Sequence, residues 1–356
     1  MPGADGGESL PKRTNCVIIP PVFKGKKTRG ILQLLLSLLL LIWLVNRVGL
    51  GEIASVLADI DWAWYVPAFL LFLANTFLRT YRWHTLLSTL DNRASFWQLL
   101  YLYFLGFFFN NFIPSGFGGD VVKVISLHQE HGQGVEALSS VIMDRLTGLM
   151  GSSLIAMIIL IWNGVQVWLG RSNADLNLPP ALLISITLVS FGTPLGFAFV
   201  RWGDPLGLLS SLLPFTQRFT ANAKVQRLVG TVQQYAPHIL ARALLISFPF
   251  TLGLVAIQYA IARALSVEFP FYVFLLFVPI ISIVNLLPLS FNGLGMREGV
   301  YQLLFVPVGV PDASAIAMSL AFYFLRVSTG LIGGLLYAVR SLRNIGRASQ
   351  IDSAEL

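Results

Sequence analysis

The sequence predicts an all-α, polytopic membrane protein with about six full spans and two further apolar segments that are broken or re-entrant. Three observations carry that prediction. First, 55% of the 356 residues are hydrophobic and 12% are charged, against about 25% charged in soluble domains, and the mean hydropathy is +0.73. Second, six stretches, at 31–47, 62–79, 148–162, 181–200, 243–264 and 313–339, approach the roughly 20 apolar residues that a helix needs to cross a bilayer. Third, two more apolar stretches, 96–114 and 271–288, are interrupted near their C-terminal ends by polar residues, Pro and Gly. Eight full spans is the alternative reading.

In chain order, residues 1–29 read as a basic cytoplasmic tail, expected to be disordered. No cleavable leader is expected: the apolar stretch that follows is too long and too Leu-rich, and no small-residue cleavage site follows it. The single cysteine, Cys16, excludes an intramolecular disulfide. Residues 30–340 read as one membrane domain with pseudo-repeats at about 30–163 and 181–340, and 341–356 as a second cytoplasmic tail. Between the fourth and fifth spans, at 202–237, Leu206, Leu209, Leu212, Leu213, Val225, Leu228, Val229 and Val232 recur at helical spacing among Arg218, Lys224 and Arg227. That pattern predicts helix lying in the interface.

Lys and Arg set the orientation. Residues 1–30 hold six, the stretch after the second span holds Arg79, Arg82 and Arg93 with Lys123 beyond, 201–242 holds five, and the tail holds Arg340, Arg343 and Arg347. With both termini cytoplasmic in a cell membrane, 18 of the 24 basic residues lie inside and four, Arg47, Arg171, Arg263 and Arg297, lie outside or at edges. Arg145 and Arg326 fall within apolar sequence. Arg79 and Arg82 read as interfacial anchors. The basic excess suits anionic lipid headgroups, so no nucleic-acid partner is expected.

The two broken segments match. Asn111 and Pro114 have the spacing of Asn285 and Pro288, and five residues after each Pro stands a Gly, Gly119 and Gly293. A charged cluster follows each: Asp120 and Lys123 in one, Arg297 and Glu298 in the other. Each half runs span, span, broken segment, short amphipathic helix, span. Three full spans per half is odd, so the second half is expected upside down relative to the first. Such an inverted repeat, with paired Pro/Gly interruptions, points to a transporter's binding site. Pro114 has no N–H and cannot continue its helix without a kink. Non-helical backbone at membrane depth is tolerated only against protein or a water-filled cavity. The helix restarting near Gly119 is expected to offer free N–H groups to an anion. Asp120 reads either as that helix's cap or as a cavity residue.

Three stretches, "NNFIPSGFGGDVVKV", "SSVIMDRLTGL" and "NLLPLSFNGLGMREG", resemble the motifs of the lysylphosphatidylglycerol synthase transmembrane region family. The resemblance covers about 30–340 and implies lipid flipping. The chain carries Lys123 where many members have Arg, and Asp144 where Glu is common; both keep the charge. Lys123 does so without Arg's bidentate fork. The family's full-length resistance proteins also carry a soluble synthase domain. Here the last span is expected to end near 339, and no such domain is expected in the 17 residues that follow it.

Arg326 lies deep in apolar sequence, so an interior or cavity-facing position is expected, with Glu298, Asp144 or a lipid phosphate as its partner. Asp144 and Arg145, adjacent on one helix, are expected to pair elsewhere. Arg297 opens a helix at the unfavourable dipole end unless it serves a ligand. The expected binding residues are therefore Asn111, Pro114, Gly119, Asp120, Lys123, Asp144, Arg145, Asn285, Pro288, Gly293, Arg297, Glu298 and Arg326. No cofactor, metal or catalytic residue is expected. The four histidines are scattered, and His128 and His131 read as a solvated pair. The leading function is a flippase or transporter for an anionic or zwitterionic phospholipid or lipid-linked headgroup. The alternatives are a membrane enzyme on a lipid-linked sugar or phosphate, with Asp120 and Glu298 as its carboxylates, or an accessory protein of envelope synthesis.

Overall fold

The computed structural model describes residue 42 and residues 49–88, 94–111, 118–132, 134–169, 178–213, 216–285 and 293–352. Apart from Ile42, the expected first span lies outside them, as do the N-terminal tail, Pro114 and Pro288. The described residues form helices and no strand. In the first half these are α1 (Leu50–Ala58), α2 (Trp62–Leu87), α3 (Phe96–Asn110), α4 (Gly118–His131) and α5 (Gly134–Trp168). In the second half they are α6 (Pro180–Trp202), α7 (Pro205–Leu212), α8 (Gln217–Thr220), α9 (Ala223–Gln233), α10 (Pro237–Ala264), α11 (Phe271–Val284), α12 (Met296–Phe305) and α13 (Asp312–Asp352).

Four of these, α5, α6, α10 and α13, are long and apolar enough to cross a membrane, and α1 and α2, bent by 87° at their junction, make a fifth candidate when taken together. Asp61 begins α2 by accepting the Ala63 N–H at 2.8 Å, a Ser/Asp-type N-cap. The two expected broken segments are α3, with 15 residues, and α11, with 14. At 1.5 Å per residue each is only about 21–23 Å long, short of the roughly 30 Å hydrocarbon core. Their last turns end alike: Asn111 and Asn285 are the C-caps, both in right-handed helical conformation.

Packing follows the same two-fold plan as the order of elements. α2 runs against α10, while α3 packs on α13 as α11 packs on α5. Two close approaches fix the first half. A Cβ on Gly119 would lie 2.4 Å from the Gly106 carbonyl oxygen, and one on Gly333 would meet the Phe104 carbonyl. Only hydrogen at these Cα positions lets α4 lie on α3 and α3 on α13. The second half uses backbone conformation instead: Gly293 and Gly295 stand at φ of 80° and 78° ahead of α12. The main core joins α2, α5, α6, α10, α11, α12 and α13, with Phe277 and Phe305 edge to face at 5.0 Å. In the stretch that reads as interfacial, Leu208, Leu212, Leu213 and Phe219 are exposed.

Candidate functional site

A cavity of about 210 Å³ lies where α2, α3, α4, α5, α10, α11 and α13 converge. Helical periodicity places its wall. On α2, Phe72, Asn75, Thr76, Arg79 and Arg82 recur every three or four residues and form one stripe; Arg145, Gly148, Leu149 and Ser152 do the same on α5. The first broken segment contributes Tyr103, Gly106, Phe107 and Asn110 from α3 and Gly119, Asp120 and Lys123 from α4. The second contributes Ser282 and Asn285. Phe250, Thr251 and Leu254 of α10, with Phe322 and Arg326 of α13, complete the lining.

Two carboxylates organise the basic residues. Asp144 is buried, 2% exposed. It accepts from Arg82 Nε at 2.8 Å and from the Tyr103 hydroxyl at 2.7 Å, and it lies 3.6 Å from Arg79 Nε. Arg82 is 1% exposed and donates its Nη1 to Ser247 Oγ at 3.1 Å, so α2, α3, α5 and α10 are tied through one ion pair. Asp120 pairs with Arg145 and with Lys123 at 3.4 Å. The Lys123 ammonium also sits 3.4 Å from the centre of the Tyr103 ring, a cation–π contact that partly replaces lost hydration. Asp144 and Arg145 thus pair in different directions, as adjacent helical residues must.

Arg326 is different. Of its expected partners, Asp144 is engaged by Arg82 and Arg79 and Glu298 by Arg297. Among the described residues no carboxylate lies in ion-pair range of Arg326, yet its side chain lines the cavity. An intramembrane cation without a protein counter-charge is costly.

The structure brings Gly119, Asp120, Lys123, Arg145, Asn285 and Arg326 to the cavity wall, with Asp144 hydrogen-bonded directly behind it. Pro114 and Pro288 lie outside the described residues. Asn111 is turned toward α13, its amide close to Gly330, and its neighbour Asn110 lines the cavity instead. Gly293 serves the chain reversal before α12, close to the Asn285 amide.

Arg297 and Glu298 depart from expectation, for they are not among the cavity-lining residues. They are 1% and 0% exposed. Arg297 Nη2 donates to Glu298 Oε1 at 3.0 Å and its Nε to Ser319 Oγ at 2.8 Å; Ser319 donates to the same carboxylate at 2.9 Å. Glu298 Oε2 also accepts the Gly295 N–H at 2.6 Å, capping α12. The awkward dipole position of Arg297 is therefore offset by an adjacent carboxylate and a hydroxyl rather than by a ligand. Replacing Arg297 with Met strands the Glu298 charge and is expected to cost about 3–5 kcal/mol. Adding Glu298→Gln, which keeps the cap acceptor, should recover most of that loss in thermal unfolding of detergent-solubilised protein. A single variant as stable as the parent would contradict the pairing.

Three further readings change. Arg79 and Arg82 are cavity residues, not interfacial anchors. Their three-residue spacing within an apolar helix, continuing back through Thr76 and Asn75, was the available signal. Lys123 also faces the cavity and Arg297 is buried in its ion pair; without these residues the basic residues divide fifteen against three, still in excess on the expected cytoplasmic side. Asn110, rather than Asp120, caps the start of α4, its Oδ1 accepting the Gly119 N–H at 2.6 Å. That N–H is accordingly not free for an anion.

Residues 30–334 match the family described as lysylphosphatidylglycerol synthase TM region. The chain is 23% identical over 336 residues to a UPF0104 membrane protein of Methanothermobacter thermautotrophicus, covering 87% of this chain and 93% of that one. It is 27% identical over 128 residues to the UPF0104 membrane protein MJ1595 of Methanocaldococcus jannaschii, covering 35% and 38% of the two chains. With motifs, helical order and a match spanning most of the sequence in agreement, the chain belongs to the lysylphosphatidylglycerol synthase transmembrane region family.

Proposed function

We propose that this protein moves a polar lipid across the bilayer, the headgroup passing through the cavity while the acyl chains stay in lipid. One observation carries the reading: both broken segments deliver polar side chains to the same cavity, Asn110 and Asp120 from the first and Ser282 and Asn285 from the second, and Arg326 stands beside them with no counter-charge among the described residues. The two short helices end beside the cavity and bring Asn110 and Asn285 to it, and polar groups at membrane depth are tolerable where they line such a cavity. The size agrees. About 210 Å³ is below the roughly 300–1,000 Å³ of sites that enclose a whole drug-sized ligand, which fits a headgroup and not a complete lipid. The enzyme alternative draws less support, because Asp120 lines the cavity and Glu298 is held in its own pair with Arg297. In this reading both termini face the cytoplasm.

The test is reconstitution. Vesicles of phosphatidylglycerol and phosphatidylcholine carrying a fluorescent headgroup-labelled phospholipid are treated with an impermeant reductant. Protein-containing vesicles should lose the inner-leaflet signal on a minutes scale while protein-free vesicles retain it, and the extracted lipid should be chemically unchanged. Converted lipid would favour the enzyme reading; retention of the inner-leaflet signal for every lipid class tried would remove the transporter reading.

A further inference from the structure

We infer that the cavity selects headgroups bearing more than one negative charge, the phosphate monoester and diphosphate class, and turns away ammonium-bearing ones. This rests on the reading that a headgroup enters the cavity, and it narrows that reading from "anionic or zwitterionic" to one chemical class.

Among the described residues, five basic side chains line the cavity: Arg79, Arg82, Lys123, Arg145 and Arg326. Two carboxylates oppose them, Asp120 in the wall and Asp144 behind it, leaving a surplus of three positive charges. The sequence stretches 112–117 and 286–292, which follow α3 and α11, contain no charged residue.

Both carboxylates are already engaged. Asp144 holds Arg82, Arg79 and the Tyr103 hydroxyl; Asp120 holds Arg145 and Lys123. An incoming ammonium would have to displace a guanidinium or ammonium from one of them, exchanging one cation for another with no gain and adding to the surplus. An incoming phosphate meets the reverse situation. Among the described residues Arg326 has no carboxylate to leave, and Arg79, with its side chain 27% exposed and its contact to Asp144 a long 3.6 Å, can turn toward a second oxygen. Guanidinium groups match phosphate oxygens in planar, bidentate geometry. A diester anion leaves two of the three surplus charges uncompensated inside the protein and a dianion leaves one. At low local dielectric each uncompensated charge is expensive, so affinity should rise with headgroup charge.

Calorimetric titration of the full-length protein in neutral detergent tests this at pH 8, where a phosphate monoester, with its second ionisation near pH 6, carries close to two charges. The probes are dihexanoyl phosphatidic acid as monoester, dihexanoyl phosphatidylglycerol as singly charged diester, dihexanoyl phosphatidylcholine as zwitterion, hexyltrimethylammonium, and inorganic phosphate. The monoester should bind at least tenfold more tightly than the diester, with no measurable binding of the zwitterion or the ammonium. Arg326→Gln should weaken the monoester at least tenfold and leave the melting temperature no lower. Binding of the zwitterion or ammonium as tight as the monoester overturns the inference, as does an Arg326→Gln protein with unchanged monoester affinity. Inorganic phosphate binding as tightly as the lipid would keep the charge selection but transfer the site from lipid to free phosphate. The two proposals separate cleanly: vesicles that flip only zwitterionic lipid refute the charge selection and keep the transporter, whereas monoester binding without movement of any lipid does the opposite.

Discussion

Replacing Asp144 with Asn is expected to destabilise the folded protein by about 3–5 kcal/mol, the scale for removing one partner of a buried ion pair. Asn keeps the shape and can still accept from Tyr103, but it carries no charge. Arg82, 1% exposed, then has only Ser247 Oγ at 3.1 Å and the face of Phe250 at 4.8 Å to replace its counter-ion, and Arg79 loses its nearest carboxylate as well. Four helices meet at this pair, so the loss should appear as one cooperative drop in melting temperature rather than local fraying. Introducing Arg82→Gln into the Asp144→Asn background removes the stranded cation and should restore part of the stability. If Asp144→Asn melts with the parent protein, the ion pair is not what joins these helices.

Arg326→Gln should act in the opposite way. Transport in the vesicle assay is expected to fall by tenfold or more, while the melting temperature stays constant or rises. The reason is the missing counter-charge: with no carboxylate beside it among the described residues, the guanidinium contributes desolvation cost without an offsetting ion pair, and a neutral amide removes that cost. Arg326→Lys keeps the charge but loses the planar fork, so its transport should lie between the two. A stability loss on the scale expected for Asp144→Asn would give Arg326 a structural role and remove it from the transport path. The contrast between the two residues therefore separates charges that hold the helices together from a charge that, in the proposed function, meets the headgroup.

The sequence by itself determined the class of protein, the positions of most apolar helices, and the two breaks. These follow from local quantities: apolar run length, the missing N–H of Pro, and the spacing of Asn, Pro and Gly. The likeness of the two halves was legible for the same reason, since Asn111 and Asn285 end their helices in the same way. Only the tertiary structure decided what each intramembrane charge is for. Asp120–Lys123 and Arg297–Glu298 are matched in sequence, yet the first pair faces the cavity and the second is sealed beside Ser319. Arg79 and Arg82 follow an apolar run that would suit interfacial anchors, and it is the facing Asp144, 62 residues from Arg82, that draws Arg82 inward. Asn110, not Asn111, faces the cavity because the rotation of α3 is set by its glycine contact with α13. Periodicity records which residues share a stripe. The direction in which that stripe faces, and which opposite charge it meets, depends on helix rotation and on partners distant in the chain, and those are fixed only when the helices pack.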